Sequence, residues 1–197
     1  MKRVLFIILF SSLLFPVYAQ KSFSKYDDVF RKYSKRFFGP AFDWKIFKAQ
    51  GIAESGLSPD AISQVGAKGI MQLMPSTFSE IQSRNPELTD INDPEWNIAA
   101  GISYDRTIWK SWKDIEVDKE KQRFTFGSYN AGRGTIMKAQ TKAKDKNLDH
   151  NAWDNIRQIA PEVPRWRHEE TINYVTKIDS FYLQLSRKSE REKLIKK

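Results

Sequence analysis

The sequence contains no cysteine, and that one absence removes disulfides, thiolate zinc sites and lipid attachment through a thiol. Histidine is nearly missing as well. His150 and His168 are the only two; they show no metal-ligand spacing and read as ordinary surface residues. No metal and no cofactor is expected. Long apolar runs are confined to one place, Val4 to Phe15, about a dozen residues and too short for a bilayer core of roughly 30 Å. Strand-like alternation is scarce and no internal repeat is visible, so neither a sheet-based fold nor a repeat array is indicated. Gly132 to Gly134, "GRG", lacks the lysine and the full pattern of a phosphate loop.

What is present begins with a leader. Lys2 and Arg3 precede the apolar run, and Val17 and Ala19 supply the small residues of a cleavage site. Residues 1–19 are therefore expected to be a signal peptide, giving an exported product of the periplasm or cell wall with no permanent membrane anchor. The remainder is long enough for one domain with its own core and too short for two. Net charge is +9, and loss of Lys2 and Arg3 with the leader lowers it by two. A basic exported domain meets polyanions such as carboxylate-bearing wall, anionic lipid or nucleic acid. Charge alone does not choose among them, but no nucleic-acid motif is present and no nucleic-acid partner is expected.

Apolar residues recur at helical spacing, which predicts a mainly α fold. A basic, aromatic segment from Ser24 to Phe38 stops at Gly39 and Pro40. In "FDWKIFKAQGIAES", Asp43 is the expected N-cap, Ile46, Phe47, Ala49, Ile52 and Ala53 are apolar, and Gly56 ends the helix just past Glu54. Residues 57–70 read as a loop with room for a short β-hairpin, and Pro75 opens a helix toward Ile81. Asp93 caps another helix, with Pro94 at its first position, where a missing amide hydrogen costs nothing. Trp96, Ile108, Trp109 and Trp112 fall on its core stripe. Further helices are expected from about Asp118 to Tyr129, Thr135 to Lys144 and Ala152 to Ala160, with "TKAKDKNLDHN" as a charged, mobile linker. The last helix starts near Arg165 or His168 and carries Ile172, Val175, Ile178, Tyr182 and Leu185. Residues 188–197 read as a solvated or frayed charged tail. Of six tryptophans, Trp153 and Trp166 stand in the least regular surroundings and are the candidates for ligand contact.

Glu54 is the residue that suggests chemistry. An acid flanked by apolar residues loses hydration, which disfavours its charged form and raises its pKa toward the value a general acid needs near neutral pH. Taken alone, a glutamate at a helix end is usually a surface residue. Other segments change those odds: "ES" at Glu54 and Ser55, "GAKGIMQLMP" at Gly66 to Pro75, "SYNAG" at Ser128 to Gly132 and "ETINYV" at Glu170 to Val175 occur in this order. Together they resemble the soluble lytic transglycosylase (SLT) domain, a lysozyme-like family of glycoside hydrolase type, akin to goose-type lysozyme, that cleaves bacterial peptidoglycan. The resemblance covers about Phe42 to Leu185. It implies a catalytic domain over residues 42–187 preceded by an N-terminal helical extension at 20–41. Ser128 stands where the family commonly has alanine.

Position by position, the resemblance makes Glu54 the catalytic acid and base and puts Ser63, Gln72, Met74, Tyr129, Asn130, Glu170 and Tyr174 along the sugar cleft. Ser55 is expected to support the backbone. Tyr129 is expected to reach an acetamide or Glu54, and Glu170 to be a buried structural or substrate-orienting acid. The implied reaction cuts peptidoglycan glycan strands between N-acetylmuramic acid and N-acetylglucosamine without water. Glu54 protonates the glycosidic oxygen, the acetamide stabilises the cation, and Glu54 then takes the proton of the C6 hydroxyl, leaving a 1,6-anhydro end. A goose-type hydrolase of the same bond and a non-catalytic wall-binding scaffold are the alternatives. A local role beside a secretion or pilus apparatus is a further expectation.

Overall fold

The computed structural model describes residues 24–195; the leader expected at 1–19 lies outside them. Helix α1, Asp27–Phe38, opens with Asp27 and Asp28 and closes with Lys35 and Arg36, charges that suit the two ends of its dipole. Helix α2, Lys45–Ser55, starts two residues after the expected cap. Asp43 still accepts from the Lys45 N–H at 3.1 Å, and its other oxygen accepts from the Tyr182 hydroxyl at 3.1 Å. Gly56 ends α2 in the left-handed conformation, φ 64°, where a side chain would be strained.

Helices α3, Pro75–Arg84, and α4, Pro94–Ser111, both begin on a proline. Asp93 caps α4 by accepting from the N–H groups of Glu95 and Trp96 at 2.8 and 3.0 Å. Then follow α5, Asp118–Ala131, α6, Arg133–Asp145, α7, Trp153–Ile159, a 3₁₀ turn at Ala160–Glu162 and the long α8, His168–Ile195. Among the described residues no helix is long and apolar enough to cross a membrane. The fold is mainly α, as the periodicity predicts.

Helix α2 is central, lying against α8 on one side and α1 on another, while α4 packs on α1 and α5, and α5 on α8. Phe30 and Tyr33 of α1 join Ile46, Phe47 and Ala49 of α2, Ile98 and Ile102 of α4, Phe124 of α5 and Ile178 of α8 in one core. Each large side chain buried there contributes roughly 1.5–3 kcal/mol. Lys48 is also inside, 4% exposed, with its ammonium paired to Asp27, so the α1–α2 contact carries a neutralised charge.

Several expectations are corrected by packing. The hairpin at 57–70 is reduced to isolated antiparallel bridges, Ile62 to Lys68 and Lys68 to Leu73, while other backbone groups of the loop close turns, such as the Gly66 N–H to the Ser63 carbonyl, or bond to side chains, such as Asn97. The supposed linker is helical through Asp145; Ala139 and Ala143 are fully buried, Leu148 packs on the core, and Gln140 donates to the His150 carbonyl at 3.1 Å. The tail from 188 is helical through Ile195, with Lys188, Glu190, Arg191 and Leu194 exposed. Trp153 is a core residue, edge-on to Phe124, and its ring lies where a Cβ on Gly127 would meet it at 2.3 Å. Trp166 is largely buried too, its indole N–H donating to Thr171 at 3.0 Å, but unlike Trp153 it lines a surface hollow, so the expected ligand contact is not overturned for it.

Candidate active site

Glu54 occupies the last turn of α2, half-buried, with Tyr174 of α8 donating a hydrogen bond to its Oε1 at 2.5 Å. Burial raises its pKa from 4.5 to about 7, and the Tyr174 bond, which favours the carboxylate, opposes that only in part. The negative end of the α2 dipole acts in the same direction as burial. No lysine or arginine among the described residues forms an ion pair with Glu54. A carboxyl in this state is protonated in a large fraction of molecules at neutral pH and can both give and take a proton.

The loop beside Glu54 is held by side chains from three helices. Ser55 donates to the Ile70 carbonyl at 2.9 Å, and Tyr129 of α5 donates to the Met71 carbonyl at 2.8 Å. Asn97 of α4, 1% exposed, accepts from the Met71 N–H at 2.8 Å and donates to the carbonyls of Lys68 and Ile91, each at 3.0 Å. Gly69 must be glycine here: φ is +74° and a Cβ would stand 2.5 Å from Asn97 Nδ2. Gln72, with φ 44°, turns its amide inward to the carbonyls of Gly69 and Ala61 at 2.9 and 3.2 Å. The loop is braced in one conformation against the catalytic helix.

The residues anticipated along the cleft are thus distributed unevenly. Tyr174 touches Glu54 directly. Tyr129 does not: its hydroxyl is committed to Met71, and its ring lies edge-on to Tyr104 at 5.3 Å. Ser63 closes its own turn, accepting from the Ala67 N–H at 3.0 Å, and Met74 is exposed at the start of α3. Met71 is fully buried. Asn130 is exposed and accepts from Thr171 at 2.8 Å, extending the bond from Trp166 into a chain of three side chains. Glu170 is not buried; it sits exposed in the first turn of α8, paired with Arg167 at 3.0 Å. Asn130, Thr171, Trp166 and Glu170 line an open hollow of about 240 Å³. Glu170 is one helical turn from Tyr174, so hollow and acid lie on one side of α8. Asn97 was not anticipated, although an asparagine inside the apolar run "NIAAGI" was a signal.

A helical frame around a half-buried acid of raised proton affinity is of the lysozyme-like class. Residues 31–152 match the family described as Transglycosylase SLT domain, and the chain belongs to that family. It is 32% identical over 158 residues to membrane-bound lytic murein transglycosylase F of Desulfosudis oleivorans, covering 75% of this chain and 34% of that protein. With the protein of the same description from Vibrio campbellii it shares 31% identity over 169 residues, 80% of this chain and 30% of the relative. The chain therefore spans about a third of the length of these curated relatives. In fold it is similar to the lytic transglycosylase Slt of Pseudomonas aeruginosa, solved as an inactive mutant, with TM-score 0.67 and 23% identity over 85% of this chain and 25% of that one. The 70 kDa soluble lytic transglycosylase of Escherichia coli aligns with TM-score 0.63 and 24% identity, covering 85% of this chain and 26% of that one.

Proposed function

We propose that the chain is a peptidoglycan lytic transglycosylase, with Glu54 as its single acid and base. The observation that carries the reading is the state of Glu54, whose pKa is about 7 through burial and whose carboxyl is oriented by Tyr174. Two-carboxylate glycosidases place their acids on either side of the bond. Among the other cleft positions the sole acid is Glu170, exposed and salt-bridged to Arg167, which supports a route in which the substrate assists itself. Protonated Glu54 gives its proton to the oxygen between N-acetylmuramic acid and N-acetylglucosamine, and that C–O bond breaks. The neighbouring acetamide stabilises the cation at C1. Glu54, now a carboxylate, accepts the proton of the C6 hydroxyl as that oxygen bonds to C1, so the acid is regenerated and no water is consumed.

Ser63, Gln72, Met74, Tyr129, Asn130, Glu170 and Tyr174 line the strand's path in this reading, with Gln72 and Tyr129 acting mainly by holding the loop, and Tyr174 by orienting Glu54. The enzyme works on the wall after export. Mass spectrometry of digested peptidoglycan tests the chemistry: ends lighter than reducing ends by one water are expected, and reducing ends alone would identify a hydrolase instead. Wall that stays intact under the wild-type protein would point to a scaffold. A local role beside a secretion or pilus apparatus is part of the proposal; deletion of the gene is expected to block assembly while bulk wall turnover stays normal.

A further inference from the structure

Behind Glu54 lies a second acid that the reaction above does not use. Asp105 of α4 and Gln50 of α2 are both fully buried, and the Gln50 amide donates to Asp105 Oδ1 at 3.3 Å. Gln50 precedes Glu54 by four residues, one turn of α2, and so shares its face. Two atoms of the pair, Asp105 Oδ2 and Gln50 Oε1, have no hydrogen-bond partner among the described residues. Both are acceptors if Asp105 is ionised, and no described lysine or arginine pairs with it. A buried carboxylate with one long amide bond and no cation is not sustainable. One proton on Oδ2 changes that arrangement, since an acid O–H is the donor that the orphan amide oxygen lacks.

We infer that Gln50 and Asp105 form a neutral acid–amide pair backing the catalytic glutamate, and that Asp105 is a positioning residue which keeps water and a second negative charge from behind Glu54. The inference rests on the reading of Glu54 as the acid. The groups whose charge Asp105 shares are Glu54 from α2, Tyr129 from α5 and Tyr174 from α8, with Tyr104 beside it on α4, and none is cationic. Burial drives the Asp105 proton affinity up, and the charge of Glu54 adds to it. Glu54 must become a carboxylate during each turnover; a fixed charge behind it would oppose that step, and water there would weaken its hold on the proton beforehand.

The test is a carbon-13 titration of the whole protein labelled at aspartate carboxyls. One resonance is expected to keep the position of a protonated acid at pH values where free aspartate is fully ionised, and to vanish in Asp105→Asn. If every aspartate reaches the carboxylate position together with free aspartate, the inference is wrong. This readout needs no substrate, so it stands or falls separately from the proposed activity. In the pH profile of peptidoglycan cleavage, Asp105→Ala is expected to move the alkaline limb down by about one unit and lower kcat about tenfold, with KM changed less than twofold. Asp105→Asn, which keeps shape and neutrality, is expected to restore the limb. An Asp105→Ala protein with the wild-type limb and kcat would end the positioning role, and a limb displaced by Asp105→Asn would show that Asp105 carries charge.

Discussion

Replacing Glu54 by glutamine removes a proton equilibrium that folding has displaced, and the consequence is measurable without substrate. Folding raises the pKa from 4.5 to about 7. Because the folded value is the higher one, the folded state binds the proton more tightly. The contribution is fully present below pH 4.5 and is lost as pH rises through about 7. At about 1.4 kcal/mol per unit of displacement, a shift of this size amounts to roughly 3 kcal/mol, an upper figure because one side of the carboxyl remains open to solvent. Glutamine keeps the shape and does not titrate, so Glu54→Gln is expected to match the wild type near pH 4.5 and to become progressively more stable than it, by about 2–3 kcal/mol at pH 8. Urea unfolding at four pH values, with slopes compared, is the assay. A stability difference that stays constant over this range, or one that grows toward acid, would refute the reasoning. Glu54→Gln is also expected to end cleavage, so the catalytic group would be shown to cost stability at working pH.

Three other perturbations follow from the same geometry. Tyr174→Phe removes the donor that favours the Glu54 carboxylate, so the alkaline limb of activity should move to higher pH while kcat falls about tenfold; a limb moving to lower pH would contradict it. Asn97→Ala leaves the Met71 N–H and the Ile91 carbonyl without partners, while the Lys68 carbonyl keeps the Leu73 N–H, and a loss of roughly 3 kcal/mol is expected in urea unfolding, against less than about 1 if water replaces the side chain. Gly127→Ala drives a methyl into the Trp153 ring; melting temperature should fall by the equivalent of about 1–3 kcal/mol, and Trp153→Phe in the same chain should recover part of it.

Where local chemistry decides, the chain could be read directly. Asp93 and Pro94 start a helix because their own atoms satisfy its first turn, and Gly56 stops one because it alone is relaxed at φ 64°. The misreadings share a different cause. "TKAKDKNLDHN" looks mobile by charge, yet Ile136, Ala139 and Ala143 recur at helical spacing, Leu148 packs on the core just past the helix end, and burial decides the matter. Trp153 looked available because its flanks are irregular, whereas its place is set by the missing side chain of Gly127, on a different helix. Glu170 looked buried by its position in a motif, but the first turn of α8 faces outward and Arg167 pairs with it in solvent.

The site shows the same division more sharply. Glu54 at the end of an apolar helix announces its raised proton affinity in sequence, because the cause is the local loss of water. Its partner shows only through the "ETINYV" motif, since Tyr174 lies 120 residues away and reaches Glu54 because α2 packs against α8. Asn97 and Asp105 are harder still, for each is a polar residue on a helix whose neighbours in sequence are a mixture of apolar and charged groups. Their meaning comes from what they meet across the packing: backbone groups of a loop in one case, the amide of Gln50 in the other. Burial is what gives both residues their force, because a polar group removed from water must find a partner or give up its charge. An acid that has to hold a proton, release it and take one back within a single turnover needs surroundings that do not rearrange between those states. A loop locked by Asn97, Ser55 and Tyr129 on one side of Glu54, with a sealed polar pair on the other, meets that requirement by rigidity.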